Sequence, residues 1–130
     1  MKKREFEEAR LAAEEGLATS DPYQVERAKN ALCAIEFEAG NDRESYEVCA
    51  EAVEYGERNF GSATAVDLGN YAEAARSVFR FDEAETLLTE ASKSGLSWYG
   101  NPWLELADLY MRGGRFAEAL AALREVPRHR

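Results

Sequence analysis

The stretch Trp103-Leu104-Glu105-Leu106-Ala107-Asp108-Leu109-Tyr110-Met111-Arg112-Gly113-Gly114-Arg115-Phe116-Ala117-Glu118-Ala119-Leu120 decides the fold. Trp103, Leu106, Ala107 and Tyr110 lie on one stripe of a helix, a glycine pair interrupts the pattern, and Phe116, Ala119 and Leu123 resume it. Two helices joined by so short a turn lie antiparallel.

Working outward, the second half of this pattern recurs along the chain. Phe6, Tyr46, Phe81 and Phe116 are each followed three residues later by a small side chain: Ala9, Cys49, Ala84 and Ala119. Seven residues on come Ala13, Val53, Leu88 and Leu123, and ten residues on come Gly16, Gly56, Ala91 and Val126. The aromatics are spaced by 40, 35 and 35 residues. A fixed period of this size means stacked helical units, each burying its stripe against its neighbours. The small residue at +3 lets another helix approach closely, and the aromatic is expected to fill the space opened where the pair turns.

Boundaries follow from caps and breakers. Asp21-Pro22 and Asn101-Pro102 each place an N-cap residue before proline at the first helical position, and Gly40, Gly61, Gly95 and Gly113-Gly114 supply stops. Seven helices are predicted, over residues 3–18, 22–39, 44–59, 63–78, 81–93, 101–112 and 115–126, and no stretch alternates long enough to suggest a strand. Helix 22–39 carries Val25, Ala28, Leu32, Ile35 and Ala39 on one stripe. The four extra residues of the 40-residue spacing are assigned to a longer turn over Asn41–Ser45.

Trp103, Leu106, Ala107 and Tyr110 have the spacing W-x2-L-G-x2-Y with alanine for glycine, and Ala119 and Leu123 continue it. In these residues the chain resembles the tetratricopeptide repeat (TPR) family. A weaker copy lies 35 residues earlier in Leu68, Tyr71, Ala72, Ala75, Phe79, Phe81, Ala84 and Leu88, lacking the tryptophan and the turn glycine. The resemblance implies an all-α, TPR-like right-handed superhelix of about seven antiparallel helices. It would be a single domain over 1–130, with a half repeat at 3–18 and repeats at about 22–60, 62–95 and 98–127. It also implies a concave face formed by the first helix of each pair, where a peptide or a partner helix binds. Positions one, five and eight after the motif tryptophan face that groove: Leu104, Asp108 and Met111 in the last unit, and Gly69, Glu73 and Arg76 in the middle one. Glu73 and Asp108 stand where TPR domains that grip a terminal carboxylate carry asparagine. The implied partner is therefore a basic segment with apolar anchors.

Composition narrows the alternatives. The chain has 130 residues, 25 acidic against 16 basic side chains, a formal charge of −9 and 45% apolar content. A chain of this length buries roughly two thirds of its unfolded surface, enough for a core without metal or disulfides. Its acidity argues against nucleic acid and anionic membranes as partners. Charge is uneven: residues 1–60 carry 15 acidic and 8 basic groups, residues 61–130 carry 10 and 8, and the end from Met111 turns basic with five arginines. That end is expected to fray in solvent. No apolar run approaches the about 18 residues of a membrane span, and the N-terminus has no signal-like apolar core, so a cytoplasmic location is expected.

Catalytic chemistry finds little support. His129 is the sole histidine, which leaves nucleophilic triads and zinc sites without ligands, and Gly113-Gly114 is explained as a turn rather than a phosphate loop. The carboxylate pairs Glu7-Glu8, Glu14-Glu15 and Asp82-Glu83 fit solvated faces and a helix start. Cys33 and Cys49 are expected to be reduced, buried thiols, and Phe81, Phe116, Trp103 and Tyr110 to be core. Trp98 and Tyr99 stand out as exposed candidates. No enzyme activity, cofactor or metal is expected. Two alternatives remain beside peptide binding: a small acidic chaperone or adaptor resembling the three-TPR chaperones of type III secretion, and an oligomerisation segment of a larger protein; the open apolar edge of the last helix also suits a homodimer.

Overall fold

The computed structural model describes residues 3–93 and 101–129. Its elements are seven α-helices: α1 Lys3–Leu17, α2 Pro22–Glu38, α3 Asp42–Phe60, α4 Ala65–Ser77, α5 Phe81–Ser92, α6 Pro102–Arg112 and α7 Phe116–Glu125. A short 3-10 helix, Val126–His129, continues α7. No strand occurs among the described residues.

Local chemistry sets the starts. Asp21 and Asn101 each accept the backbone N–H two residues on at 3.0 Å, with proline next to the cap as the sequence predicts. Thr64 caps α4 by accepting the Asp67 N–H at 3.1 Å. Consecutive helices pack in pairs and the pairs stack, with α2 also touching α4. This is the helical-repeat arrangement that the resemblance implies.

The turns inside the pairs fix the register. Asn41 N–H donates to Glu36 O at 2.9 Å, Arg80 N–H to Ala75 O at 2.8 Å, and Arg115 N–H to Tyr110 O at 2.8 Å. The residue before each donor has positive φ: Gly40 at 80°, Phe79 at 64° and Gly114 at 76°. These are the same αL helix terminators. Asp42, Phe81 and Phe116 are therefore equivalent, which corrects the sequence alignment of Tyr46 with Phe81. The supposed long turn over Asn41–Ser45 is the first turn of α3. A slip of four residues returns the same helix face, so the apolar stripe matched in the wrong register. The true close-approach position of α3 is Ser45, fully buried like Ala84 and Ala119, with its hydroxyl donating to Cys33 O at 3.1 Å.

The core runs through the stack, from Val53 across Leu68, Ala72 and Ala75 to Leu88, Ala91, Leu106 and Ala122. Many of these are alanines, because helices spaced by small side chains pack backbone to backbone. Gly16 shows the limit: a Cβ there would sit 2.9 Å from that of Ala28. Trp103 and Tyr110 pack on this core, as predicted. Phe81 and Phe116 do not; they are 50% and 63% exposed. Leu123 is exposed as well.

Cys33 and Cys49 are buried, but they are not reduced: a disulfide joins α2 to α3. Sequence spacing could not reveal this pair, since sixteen residues apart in sequence become a Cα separation of 4.7 Å only once the hairpin closes. Glu36 ties the leading half repeat to the stack, accepting Arg10 Nε at 2.5 Å and Asn41 Nδ2 at 2.9 Å.

Candidate functional site

Helices α2, α4 and α6 are the first members of their pairs, and one face of α4 reaches both others. Asn70 Nδ2 donates to Asn30 Oδ1 of α2 at 2.8 Å, and Arg76 Nη2 donates to Asp108 Oδ2 of α6 at 2.8 Å. Three predicted groove residues meet here: Arg76 also lies 3.4 Å from Glu73. Arg112 Nε adds a second donor to Asp108 Oδ2 at 3.0 Å. Hydrogen bonding from Arg76, then from Arg112, holds the Asp108 carboxyl below its ordinary range.

The other predicted positions flank this cluster. An added Cβ at Gly69 would meet nothing within 4 Å, so its side of α4 is open. Leu104 and Met111 lie one helical turn to either side of Asp108, and both are exposed. Trp98 and Tyr99 fall outside the described residues.

Two clefts share Glu73. The larger, about 590 Å³, lies between the turn ends of the second and third pairs, lined by Glu73, Arg76, Phe79, Phe81, Leu109 and Arg112 among others. The smaller, about 180 Å³, lies between α2 and α4 against Ala34, Phe37 and Asn70. Arg115 borders the larger cleft, bidentate to Glu85 at 2.6 and 3.0 Å and paired with Glu118. Its hydrogen bond lowers the Glu85 carboxyl, and its guanidinium lies 4.6 Å from the Tyr110 ring centroid.

Sequence reasoning missed two parts of this surface. Glu105 is pushed up to about 7 by burial and then by the nearby Glu73 carboxylate, so its charge changes near neutral pH. Phe79 is 80% exposed, its ring edge-on to Phe81 at 6.2 Å. The signal for Phe79 was present: it occupies the place of Gly114, where an L side chain in the αL region costs roughly 1–2 kcal/mol. Strain of this kind gathers at functional surfaces.

The cluster sets three carboxylates, Glu73, Glu105 and Asp108, against two guanidiniums, Arg76 and Arg112, with exposed apolar groups beside them. This suits recognition of a complementary surface. Among the described residues no group of three or more His, Cys, Asp or Glu could hold a metal ion.

A family model described as tetratricopeptide repeat matches residues 65–130, which takes in α4 to α7 and the two pairs that carry the motif most fully. No curated protein matches the chain. With half of its length under that match and its helices paired and stacked accordingly, the chain belongs to the tetratricopeptide repeat family.

Proposed function

We propose that residues 1–130 form one interaction module that holds a peptide or helix of a partner protein along the face of α2, α4 and α6. TPR repeats mediate protein–protein interaction, which gives the class of function. The observation that supports the finer reading is the pair of polar contacts by which α4 reaches its neighbours, Asn70 to Asn30 of α2 and Arg76 to Asp108 of α6. The partner segment is basic with apolar anchors. Its cations meet Glu73, Glu105 and Asp108, and its anchors meet Leu104, Met111 and the Phe79–Phe81 pair. The acidic first half of the chain adds long-range attraction. On this reading the module is a scaffold or adaptor rather than an enzyme, without cofactor, nucleic acid or membrane as partner.

The test is titration with an arginine- and leucine-rich peptide at several salt concentrations. Glu73→Lys with Asp108→Lys should weaken binding and flatten its salt dependence. Unchanged affinity at every salt concentration sinks the proposed face.

A second reading rests on α7, where Phe116, Leu120 and Leu123 are all exposed at helical spacing. This open stripe favours self-association as a homodimer, or the chaperone role in which such an edge holds a client. Sedimentation of the peptide-free protein across concentrations separates them: a dimer shows itself without ligand. As for location, no described helix is long and apolar enough to cross a membrane. The sequence points to the cytoplasm, whereas the Cys33–Cys49 bond belongs to oxidising compartments. Alkylation of the protein in fresh extract decides which holds.

A further inference from the structure

At the end of α4 opposite Phe79, a separate cleft of about 560 Å³ opens between the first turns of α2 and α4 and the last turn of α3. Glu26 and Asp67 line it together with Tyr23, Asn59, Phe60 and Ser62, and no lysine or arginine is among its described lining residues. The Asp67 side chain is 2% exposed, yet neither of its carboxylate oxygens has a hydrogen-bond partner among the described residues. The Thr64 hydroxyl accepts the Asp67 backbone N–H. Packing does not account for the buried carboxyl: a small apolar side chain would fill the space beside Gly56 without the cost of burying a carboxyl group. Burial, followed by the neighbouring Glu26 carboxylate, pushes the Asp67 carboxyl up to about 8.

The open side of the cleft is aromatic. Tyr23 and Phe60 stack with centroids 4.8 Å apart, and Tyr23 is 69% exposed. Phe60 also meets Tyr55 edge-on at 6.5 Å, and Lys29 Nζ lies 5.5 Å from the Tyr55 centroid, so this aromatic run already holds one cation of the chain itself. The Asp67 and Glu26 carboxyl groups behind and the ring faces in front suit an organic cation. A divalent metal fits less well, since two carboxylates fall short of its ligand number and no third His, Cys, Asp or Glu joins them among the described residues.

We propose that this cleft binds an alkylammonium group, its nitrogen against Asp67 and Glu26 and its methylene stem along Tyr23 and Phe60. An ammonium supplies three donors from one compact charge, enough for both Asp67 oxygens and one of Glu26. The group is the end of a lysine side chain or a small free amine.

Amide NMR titrations of the disulfide-intact protein with n-butylammonium, N-acetyl-lysine methylamide and N-acetyl-norleucine methylamide test this. Both cations should shift the amides of Glu26, Asn59, Ser62 and Asp67, and the norleucine amide should not. Asp67→Asn should weaken the cations about tenfold or more, the loss of one charge-assisted hydrogen bond, in a protein no less stable than the parent. Tyr23→Ala, at an exposed position, should weaken them a few-fold. Tighter binding of the lysine amide than of butylammonium supports a polypeptide source, and equal binding supports a free amine. Equal shifts from the norleucine amide, or undiminished binding by Asp67→Asn, overturn the proposal.

Discussion

Replacing Asp67 with asparagine should stabilise this protein, and the gain should grow with pH. In the native state the Asp67 carboxyl titrates near 8, against about 4 for an aspartate in the unfolded chain. Between those values the folded protein holds the extra proton, so stability falls as pH rises, by about 1.4 kcal/mol per unit from this group. From pH 5 to pH 7 the loss amounts to about 2–3 kcal/mol. Asparagine has the same shape and cannot ionise. The variant should therefore lack this slope. Glu105, also raised, contributes a slope of the same sign, so the informative quantity is the difference between variant and parent rather than either curve. Urea unfolding at pH 5, 6, 7 and 8 supplies it: the advantage of Asp67→Asn should be small at pH 5 and reach a few kcal/mol at pH 8. An advantage that stays constant across this range refutes an Asp67 protonated in the fold.

Three further outcomes are expected. Phe79→Gly should be more stable than Phe79→Ala by about 1 kcal/mol, because both remove the ring and only glycine relieves the αL strain at φ 64°; equal urea midpoints count against that strain. Reducing Cys33–Cys49 reopens a loop of sixteen residues and should cost about 3 kcal/mol in chemical denaturation with and without dithiothreitol; superimposed curves contradict this. Gly16→Ala should cost about 1–3 kcal/mol, since the new methyl meets Ala28 at 2.9 Å and α1 must shift from α2; an unchanged thermal midpoint shows that the half repeat is not docked there.

Much of the architecture was legible because helix boundaries are written in local chemistry. Asp21-Pro22 and Asn101-Pro102 carry cap and first turn within two residues, and the apolar stripes recur at helical spacing whatever the partner. Register in the first pair was not legible, because a stripe is unchanged by a slip of one helical turn; only the turn hydrogen bond of Asn41 distinguishes Ser45 from Cys49 as the close-approach residue. Exposure of Phe81 and Phe116 could not be read from spacing either, since a helix-start aromatic has the same signature whether the next pair covers it or not. Of the groove, Glu73, Arg76 and Asp108 were reached through the repeat alignment, and the structure joins them by ion pairs. Glu105 escaped because its burial depends on the approach of α4 to α6. Asp67 escaped for a similar reason: in sequence it is an acid in a first helical turn, the most ordinary place for one, and its lack of donors emerges only when α2, α3 and α4 close around it.

The use of the inner face is tested most directly by mapping an arginine- and leucine-rich peptide onto the protein by amide NMR. Arginine keeps the probe apart in chemistry from the alkylammonium cleft. Shifts should concentrate at Gly69, Glu73, Arg76 and Asp108, spreading to Leu104 and Met111. Shifts confined to α3, α5 and α7, or none with peptide at millimolar concentration, contradict a binding surface on α2, α4 and α6.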